Sequence, residues 1–363
     1  MRYIKRRLKP AATYQNFIFS RLLQEALIIK GKITLMKILF AQADFGGCGF
    51  YRILQPAAFL QFVLHHQVKV AFRYKSIEDM SSYDLLVMQR QDNPKIAEAV
   101  RMLQSHNKKV VYEIDDDLWH VHPDNESSSY WTNEKIAAAE AIIQVCDAVT
   151  TSSEPLAELL RQHNKNVFVI QNYIPEVTPL AKFEAPIRIG WSGSVSHRAD
   201  FNDDIIKALK DIKKKYRDRI ELVFCGWIPE GLVGHVTFFE PVQPMDYLGF
   251  LNQLRLHIGI MPCADIKFNE CKSNLKFLEY SITKTASIAS SIYPYVNTIT
   301  DNMGILIKDE SYKGWYEAID RLIEDAELRN RMANNAYEFV KNNYLMMKNI
   351  GKIEKIYQEI LAL

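Results

Sequence analysis

The chain has 363 residues, 48% hydrophobic and 24% charged, with a formal charge of +2. These figures suit a soluble globular protein with two cores. They exclude a membrane span, because no apolar run is long enough, and a disulfide framework, because the five cysteines form no CxxC pair. The charge is uneven: residues 1–35 hold eight of the 45 basic residues and one of the 43 acidic ones, a balance of +7 that leaves −5 on the rest.

That basic segment is expected to be an extension that meets anionic lipid or nucleic acid, or is simply solvated. "MKILFAQ", from Met36, itself reads as a native beginning. From Met36 short apolar runs alternate with helical patterns. "KILFAQ" (37–42) is a strand, "DFGGCGFYR" a glycine-rich turn, and "ILQPAAFLQFVLHH" a helix. "VKVAF", "DLLVMQ", "KKVVYEI", "DAVTTS" and "VFVIQ" are further strands, with helices at 94–106, 134–145 and 154–163. Runs buried on both faces and alternating with helices mean a parallel sheet. "YIPEVTPLAKFEAP" (173–186) holds three prolines and no clear period, so it reads as a linker. A second series follows: strands "IRIGW", "ELVFCG", "VTFFE", "HIGIMP", "ASIAS" and "GILIKD", with helices near 201–217, 245–254, 273–283 and 312–324 and a helical end at 326–362. The expected fold is α/β, two doubly wound Rossmann-like domains facing a cleft. The divisions are 1–35 (basic extension), 36–180 (first domain), 181–345 (second domain) and 346–363 (a helix returning to the first domain).

Ligands of such sheets bind outside the carboxyl ends of the strands, so the loops there carry the candidates. After the first strand, Gly47 and its neighbouring glycines allow backbone to approach a ligand, Tyr51 offers a stacking face and Arg52 an anion fork. The order G-G-x-G is not a dinucleotide fingerprint. "DDDLWHVHP" (115–123) places three carboxylates at a strand end. Asp115 and Asp117 have a D-x-D spacing that suits a divalent ion, with His120 and His122 nearby, but all lie on one loop. General base work at Asp116, or hydrogen bonds from Asp115 to a polyhydroxyl substrate, fits better, and no metal is expected. "WSGSVSHRAD" (191–200) supplies Ser194, His197 and Arg198 ahead of a helix, a phosphate-holding combination. In "CKSNLKFLEY" (271–280), Lys272, Ser273 and Lys276 are expected to open a helix, where the macrodipole disfavours cations unless something negative sits there. A ligand diphosphate is the favoured partner, with Glu279 one turn on as acceptor for a ribose diol; a surface Lys276–Glu279 pair is the plainer alternative.

"KSNLKFLEYSITKTASIAS" resembles the donor-site segment of GT-B-type glycosyltransferases of the group 1, family 4-like class, and "YEIDDDLW" and "GWSGSVSHRAD" resemble segments of a subgroup common in bacteria and phages. The resemblance spans most of 36–345. It matches Lys276 and Glu279 to the lysine and ribose-binding glutamate of the pattern. Where the family carries a glutamate eight residues earlier stands Cys271; Glu270 beside it is, with Asp116, the catalytic candidate. The resemblance implies transfer of a sugar from a UDP- or GDP-sugar to an acceptor hydroxyl on a glycan or glycolipid. It implies retention of configuration, no required cofactor or metal, and a cytoplasmic protein, with residues 1–35 giving any contact with the inner membrane face. Donor contacts fall to Gly47, Ser194, His197, Arg198, Lys272, Ser273, Lys276 and Glu279, and acceptor contacts to Tyr51, Arg52 and Asp115. Two alternatives stand: a phage-type DNA glycosyltransferase acting on a modified base, and a non-catalytic protein that binds a nucleotide-sugar or glycan.

Overall fold

The computed structural model describes residues 35–72 and 76–363; the basic segment 1–34 lies outside them. Two six-stranded sheets, every pairing parallel, form the frame. The first holds β1 (Lys37–Ala41), β2 (Gln67–Ala71), β3 (Leu85–Gln89), β4 (Lys109–Glu113), β5 (Ala148–Thr151) and β6 (Val167–Val169), in the order β2-β1-β3-β4-β5-β6. The second holds β7 (Ile187–Ser192), β8 (Ile220–Cys225), β9 (Thr237–Phe239), β10 (Ile258–Met261), β11 (Ala286–Ser290) and β12 (Gly304–Ile307), in the order β12-β11-β10-β7-β8-β9. The strand order reverses between β1 and β3 and again between β7 and β10. Those two switch points are where a doubly wound sheet opens a crevice for a ligand.

Helices cover both faces because their apolar residues fall at helical spacing. In α6 (Asp203–Tyr216), counted after α1 (Gln55–Phe62), α2 (Ile77–Ser81), α3 (Lys95–Ser105), α4 (Asn133–Val145) and α5 (Glu154–Leu160), Ile205, Ala208, Leu209 and Ile212 are buried together. Polar caps fix where helices begin: Asn202 accepts from Ile205 N at 3.0 Å, and Asp325 accepts from Leu328 N at 2.8 Å. Four apolar clusters result, one on each face of each sheet.

The helical end expected at 326–362, with a boundary at 345/346, is not continuous. It is two helices, Ala326–Asn343 and Met346–Leu361, interrupted where Ile174 pairs with Leu345. Ile174 N donates to Tyr344 O at 3.0 Å and Met346 N donates to Ile174 O at 2.9 Å. Those bonds tie the linker to the returning chain, and backbone groups bonded sideways cannot continue a helical ladder. The last helix then buries Met346, Ile350, Ile353, Tyr357 and Ile360 against Ile53 and Leu60 of the first domain. Each such side chain contributes about 1.5–3 kcal/mol before ordering costs.

Candidate active site in the interdomain cleft

At the β1/β3 switch point the polar groups are tied to one another. Asp44 Oδ1 accepts from Gly46 N (2.7 Å) and Gly49 N (3.1 Å). Its Oδ2 accepts from Gln89 Nε2 (3.1 Å) and Arg90 Nη2 (2.6 Å). Glycine is required at 49 because a Cβ there would lie 1.9 Å from the Asp44 carbonyl oxygen. Arg90 follows β3 directly with φ +41° and reaches on to Asp116 (3.1 Å) and Asp115 (4.0 Å). One guanidinium thus holds three carboxylates at this edge. Burial, and then the charge of Asp115, raises the Asp116 carboxyl above the usual carboxylate range, against the pull of Arg90.

The D-x-D pairing is corrected by the structure. Asp117 is buried and turned into its own loop, where it accepts from Trp119 N (2.8 Å), His120 N (3.2 Å) and the His120 ring (2.7 Å). His122 faces Asp124 instead. Among the described residues, Cys48, Asp115 and Asp116 do bring a thiol and two carboxylates within 4.8 Å of one another. Arg90 already supplies there the positive charge a cation would bring, and burial followed by Asp115 holds the thiol protonated.

Arg52 is a second correction. It is not an exposed anion fork: it is buried, with Nε 2.7 Å from Glu113, and Nη1 donates to Ile170 O (2.6 Å) and Asn172 Oδ1 (2.9 Å). A charge placed beneath a sheet edge must be paired, and Glu113 at the end of β4 pairs it. Tyr51 is buried too, and its hydroxyl crosses the cleft to donate to Glu279 at 2.8 Å. Its hydroxyl braces a carboxylate, and the residue still lines the cavities of the cleft.

In the second domain the loop after β7 folds as a 3-10 turn, Val195–Asp200. Gly226, φ +90°, lies so close to this loop that a Cβ would be 2.3 Å from the Gly193 carbonyl oxygen. The Ser194 and Ser196 hydroxyls bond at 2.5 Å. The turn ends on Asp200, a buried hub that the sequence reading passed over. Its Oδ1 accepts from Ala264 N (2.9 Å) and Asn269 Nδ2 (2.7 Å), and its Oδ2 lies 2.7 Å from His197 Nδ1 and 3.7 Å from Lys272 Nζ. Although burial opposes ionisation, these partners hold Asp200 down at about 2, while burial and then Lys272 lower His197 to about 4. At neutral pH the imidazole is therefore uncharged, donates through Nδ1 and keeps Nε2 as an acceptor.

The helix of the "CKSNLKFLEY" segment begins at Leu275, after a single turn at Lys267–Glu270, so Lys272 and Ser273 lie in the loop before it. A protein carboxylate, Asp200, answers Lys272. Lys276 is held differently: its ammonium donates to Ser192 O and lies 5.3 Å from the Trp191 ring centre. Burial, only partly offset by Glu279, lowers its pKa. Burial also pushes Glu279 up to about 7, against the opposing effects of Lys276 and the Tyr51 hydroxyl.

These side chains line two adjoining cavities. The larger, about 720 Å³, runs past Phe45, Ser194 and Trp227; the smaller, about 230 Å³, reaches Asp115, Asp116, Lys272 and Ser273. Gly47, Tyr51, His197, Leu275, Lys276 and Glu279 line both. A combined space of this size suits an organic ligand. Three sequence candidates are not brought there: Arg198 and Glu270 are exposed, Arg52 is buried, and none of them lines either cavity. A further pocket of about 390 Å³, beside Lys109 and Asp147, opens at the amino edge of the first sheet, away from these loops.

No family model matches the chain. It is 24% identical over 193 residues to an uncharacterized glycosyltransferase of Methanocaldococcus jannaschii, a match covering 50% of this chain and 47% of that one. It thus spans about half the length of the curated relative. Among solved structures, it is similar to a sucrose-phosphate synthase from Thermosynechococcus elongatus (TM-score 0.66, 15% identity, 91% of this chain and 100% of the other). It is also similar to Anabaena HepE in complex with UDP-glucose (TM-score 0.62, 14% identity, 90% and 100%). No described helix is long and apolar enough to cross a membrane. Two parallel sheets facing one cleft, in the arrangement of these enzymes, give this chain the GT-B fold of glycosyltransferases.

Proposed function

We propose that the protein is a glycosyltransferase that moves a sugar from a nucleotide-sugar, with UDP favoured as the nucleotide, to an acceptor hydroxyl. The observation that carries this reading is the grouping of Lys272, Ser273, Lys276 and Glu279 on one cleft wall at a switch point. Two ammonium groups and a hydroxyl suit a diphosphate, and a carboxylate one turn along the same helix suits a ribose diol. The nucleotide-sugar complex of HepE, on the same fold, supports the choice of ligand class. A metal-independent, retaining reaction fits this wall: the charge of the leaving diphosphate would be met by Lys272 and Lys276, and Arg90 occupies the carboxylates opposite. Electrostatic stabilisation of the leaving group would supply most of the catalysis. As the sugar C1–O bond to the diphosphate breaks and the bond to the acceptor forms, Asp116 is the group placed to take the acceptor proton.

The acceptor enters, in this reading, over Phe45 and Phe72. Their rings stack at 3.8 Å, they are 69% and 43% exposed, and Phe45 lines the larger cavity. Such an apolar shelf, beside the hydroxyl of Ser194 and the carboxylate of Glu126 in the same cavity, suits a sugar ring of a glycan or glycolipid.

The reading is tested by thermal shift with nucleoside diphosphates and their sugars. At a hundredfold excess over Kd a ligand stabilises by about 2.7 kcal/mol, so UDP or a UDP-sugar should raise Tm clearly. No response to any nucleoside diphosphate overturns the donor site. A response without hydrolysis of the sugar or transfer to a glycan leaves a binding protein and overturns the enzyme.

A further inference from the structure

The buried Arg52 leads to an inference about the donor wall. We infer that Asn172 fixes the polarity of the Ser273 hydroxyl, turning its proton toward the ligand cavity, and that Arg52 and Glu113 in turn fix Asn172. The inference rests on the donor-site reading above and assigns positioning roles to residues that line up behind it.

The chain of hydrogen bonds starts in the first domain. Glu113 accepts from Arg52 Nε (2.7 Å) and Nη2 (3.3 Å), and also from the Thr150 hydroxyl. Arg52 Nη1 then donates to Asn172 at 2.9 Å. A guanidinium has donors only, so the Asn172 atom facing it must be the amide oxygen. The amide nitrogen therefore faces the other way, and it lies 2.7 Å from Ser273 Oγ in the second domain. An NH₂ group only donates, so Ser273 must accept. A hydroxyl has one proton, and here it cannot be spent on Asn172. Among the described residues Ser273 makes no other hydrogen bond. Ser273 lines the smaller cavity together with Lys272 and Lys276. The proton completes a donor-only patch of two ammonium groups and one O–H, which suits phosphate oxygens and not hydroxyl donors.

The arrangement is costly unless it has a use. Glu113, Arg52 and Asn172 are 1%, 4% and 5% exposed, and a buried ion pair is often no better than apolar packing. Here it removes the ambiguity of an amide that would otherwise be free to flip. It also works across domains: Asn172 follows β6 of the first domain and Ser273 precedes a helix of the second.

Titration calorimetry with UDP, and with uridine as a probe lacking phosphate, tests this. Asn172→Asp keeps an acceptor for Arg52 but gives Ser273 a second acceptor, which draws the hydroxyl proton away from the cavity. UDP affinity should fall about tenfold or more, since a hydrogen bond to a charged oxygen is lost. Ser273→Ala should lose a similar factor, and Asn172→Asp combined with Ser273→Ala should bind like Ser273→Ala alone. Uridine affinity should stay the same in all three. Unchanged UDP affinity in Asn172→Asp overturns the inference. So does an additive loss in the double variant, which would make residue 172 merely a nearby charge. If Asn172→Asp does not fold, Asn172→Ala serves: it should lose a few-fold for UDP, and nothing further in the Ser273→Ala background. Failure of the unaltered protein to bind any nucleoside diphosphate is a different result, and it sinks the donor reading itself.

Discussion

The two walls of the cleft are built from the same parts, strand-end loops with charged residues, yet they treat charge oppositely. On the first domain the charges answer one another: Arg90 sits among Asp44, Asp115 and Asp116, Arg52 pairs with Glu113, and Asp117 closes its own loop. On the second domain Lys276 rests on a backbone carbonyl, and Lys272 is 3.7 Å from the carboxylate it shares with His197. The difference teaches that clusters of like-charged residues in a sequence have two meanings. One wall pairs its arginines with carboxylates, and on the other Lys276 is met by a backbone carbonyl, which under the proposed function leaves its charge for the diphosphate.

Removing a cation should therefore have opposite consequences on the two walls. Arg90→Ala leaves three carboxylates facing without a counter-charge and should cost the fold about 3 kcal/mol, by analogy with broken buried pairs. Urea unfolding reads this as a lower midpoint. Arg90→Lys should recover only part, because one ammonium cannot fork to Asp44 and Asp116 together. If Arg90→Ala unfolds at the same urea concentration as the parent, the first wall is not held by charge.

Lys276→Ala should do the reverse. Burial already disfavours its ammonium, so stability should hold or rise slightly. Affinity for UDP should fall about ten- to a hundredfold, in line with the roughly 1.5–3 kcal/mol of a charge-assisted contact. A variant that unfolds early yet binds UDP normally would place Lys276 with the structural charges and erase the contrast.

Glu279 sharpens the comparison by pH. Its folded-state pKa of about 7 lies above the ordinary carboxyl value of 4.5. The folded state therefore binds the proton more tightly, and this group's contribution to stability falls as pH rises from 4.5 to about 7, then levels. Ligand binding should run the other way, since the ionised carboxylate is the better acceptor for a diol. Affinity for uridine, which has no phosphate to titrate, should increase through about pH 7. Glu279→Gln should flatten that profile. A profile that persists in the variant assigns the titration to another group.

Much of this was legible in the sequence, and the reasons differ by level. The two alternating series announced two parallel sheets because short apolar runs, too short for helices, recur between longer segments of helical period. The sequence reading placed a boundary at 345/346, but the pairing of Leu345 with Ile174 that interrupts the helix there was not legible, because Ile174 lies far away in the chain. The strand-end rule led to Gly47, Asp115, Asp116, His197, Lys272, Ser273, Lys276 and Glu279, which the fold does gather around the cavities. The same rule points to Arg90, directly after β3, and the end of the 191–200 loop points to Asp200. Arg52 and Asp117 misled because their partners, Glu113 across the sheet and the Trp119 and His120 amides, are set by tertiary structure. Nothing in local sequence marks Asn172, whose importance lies in what it separates.

The smallest effect is expected at Glu270, and it bears on the second wall as a whole. Glu270 ends the single turn Lys267–Glu270, and its carboxylate is exposed and outside both cavities. The residue after it, Cys271, is the one turned inward: its carbonyl accepts from the Ser153 hydroxyl at 2.6 Å, and its thiol points to Asp117 at 3.9 Å. The backbone here is thus pinned to the first domain, with Cys271 packed in that domain's core. Pinning fixes which side of the turn faces water, so Glu270 cannot swing inward without breaking the contact between domains. Glu270→Gln should leave UDP affinity and donor hydrolysis within about twofold, as for an ordinary surface change. A tenfold fall in hydrolysis with unchanged UDP affinity would show that the turn reverses when a sugar is bound, and the second wall would then also rearrange its charges instead of holding them ready.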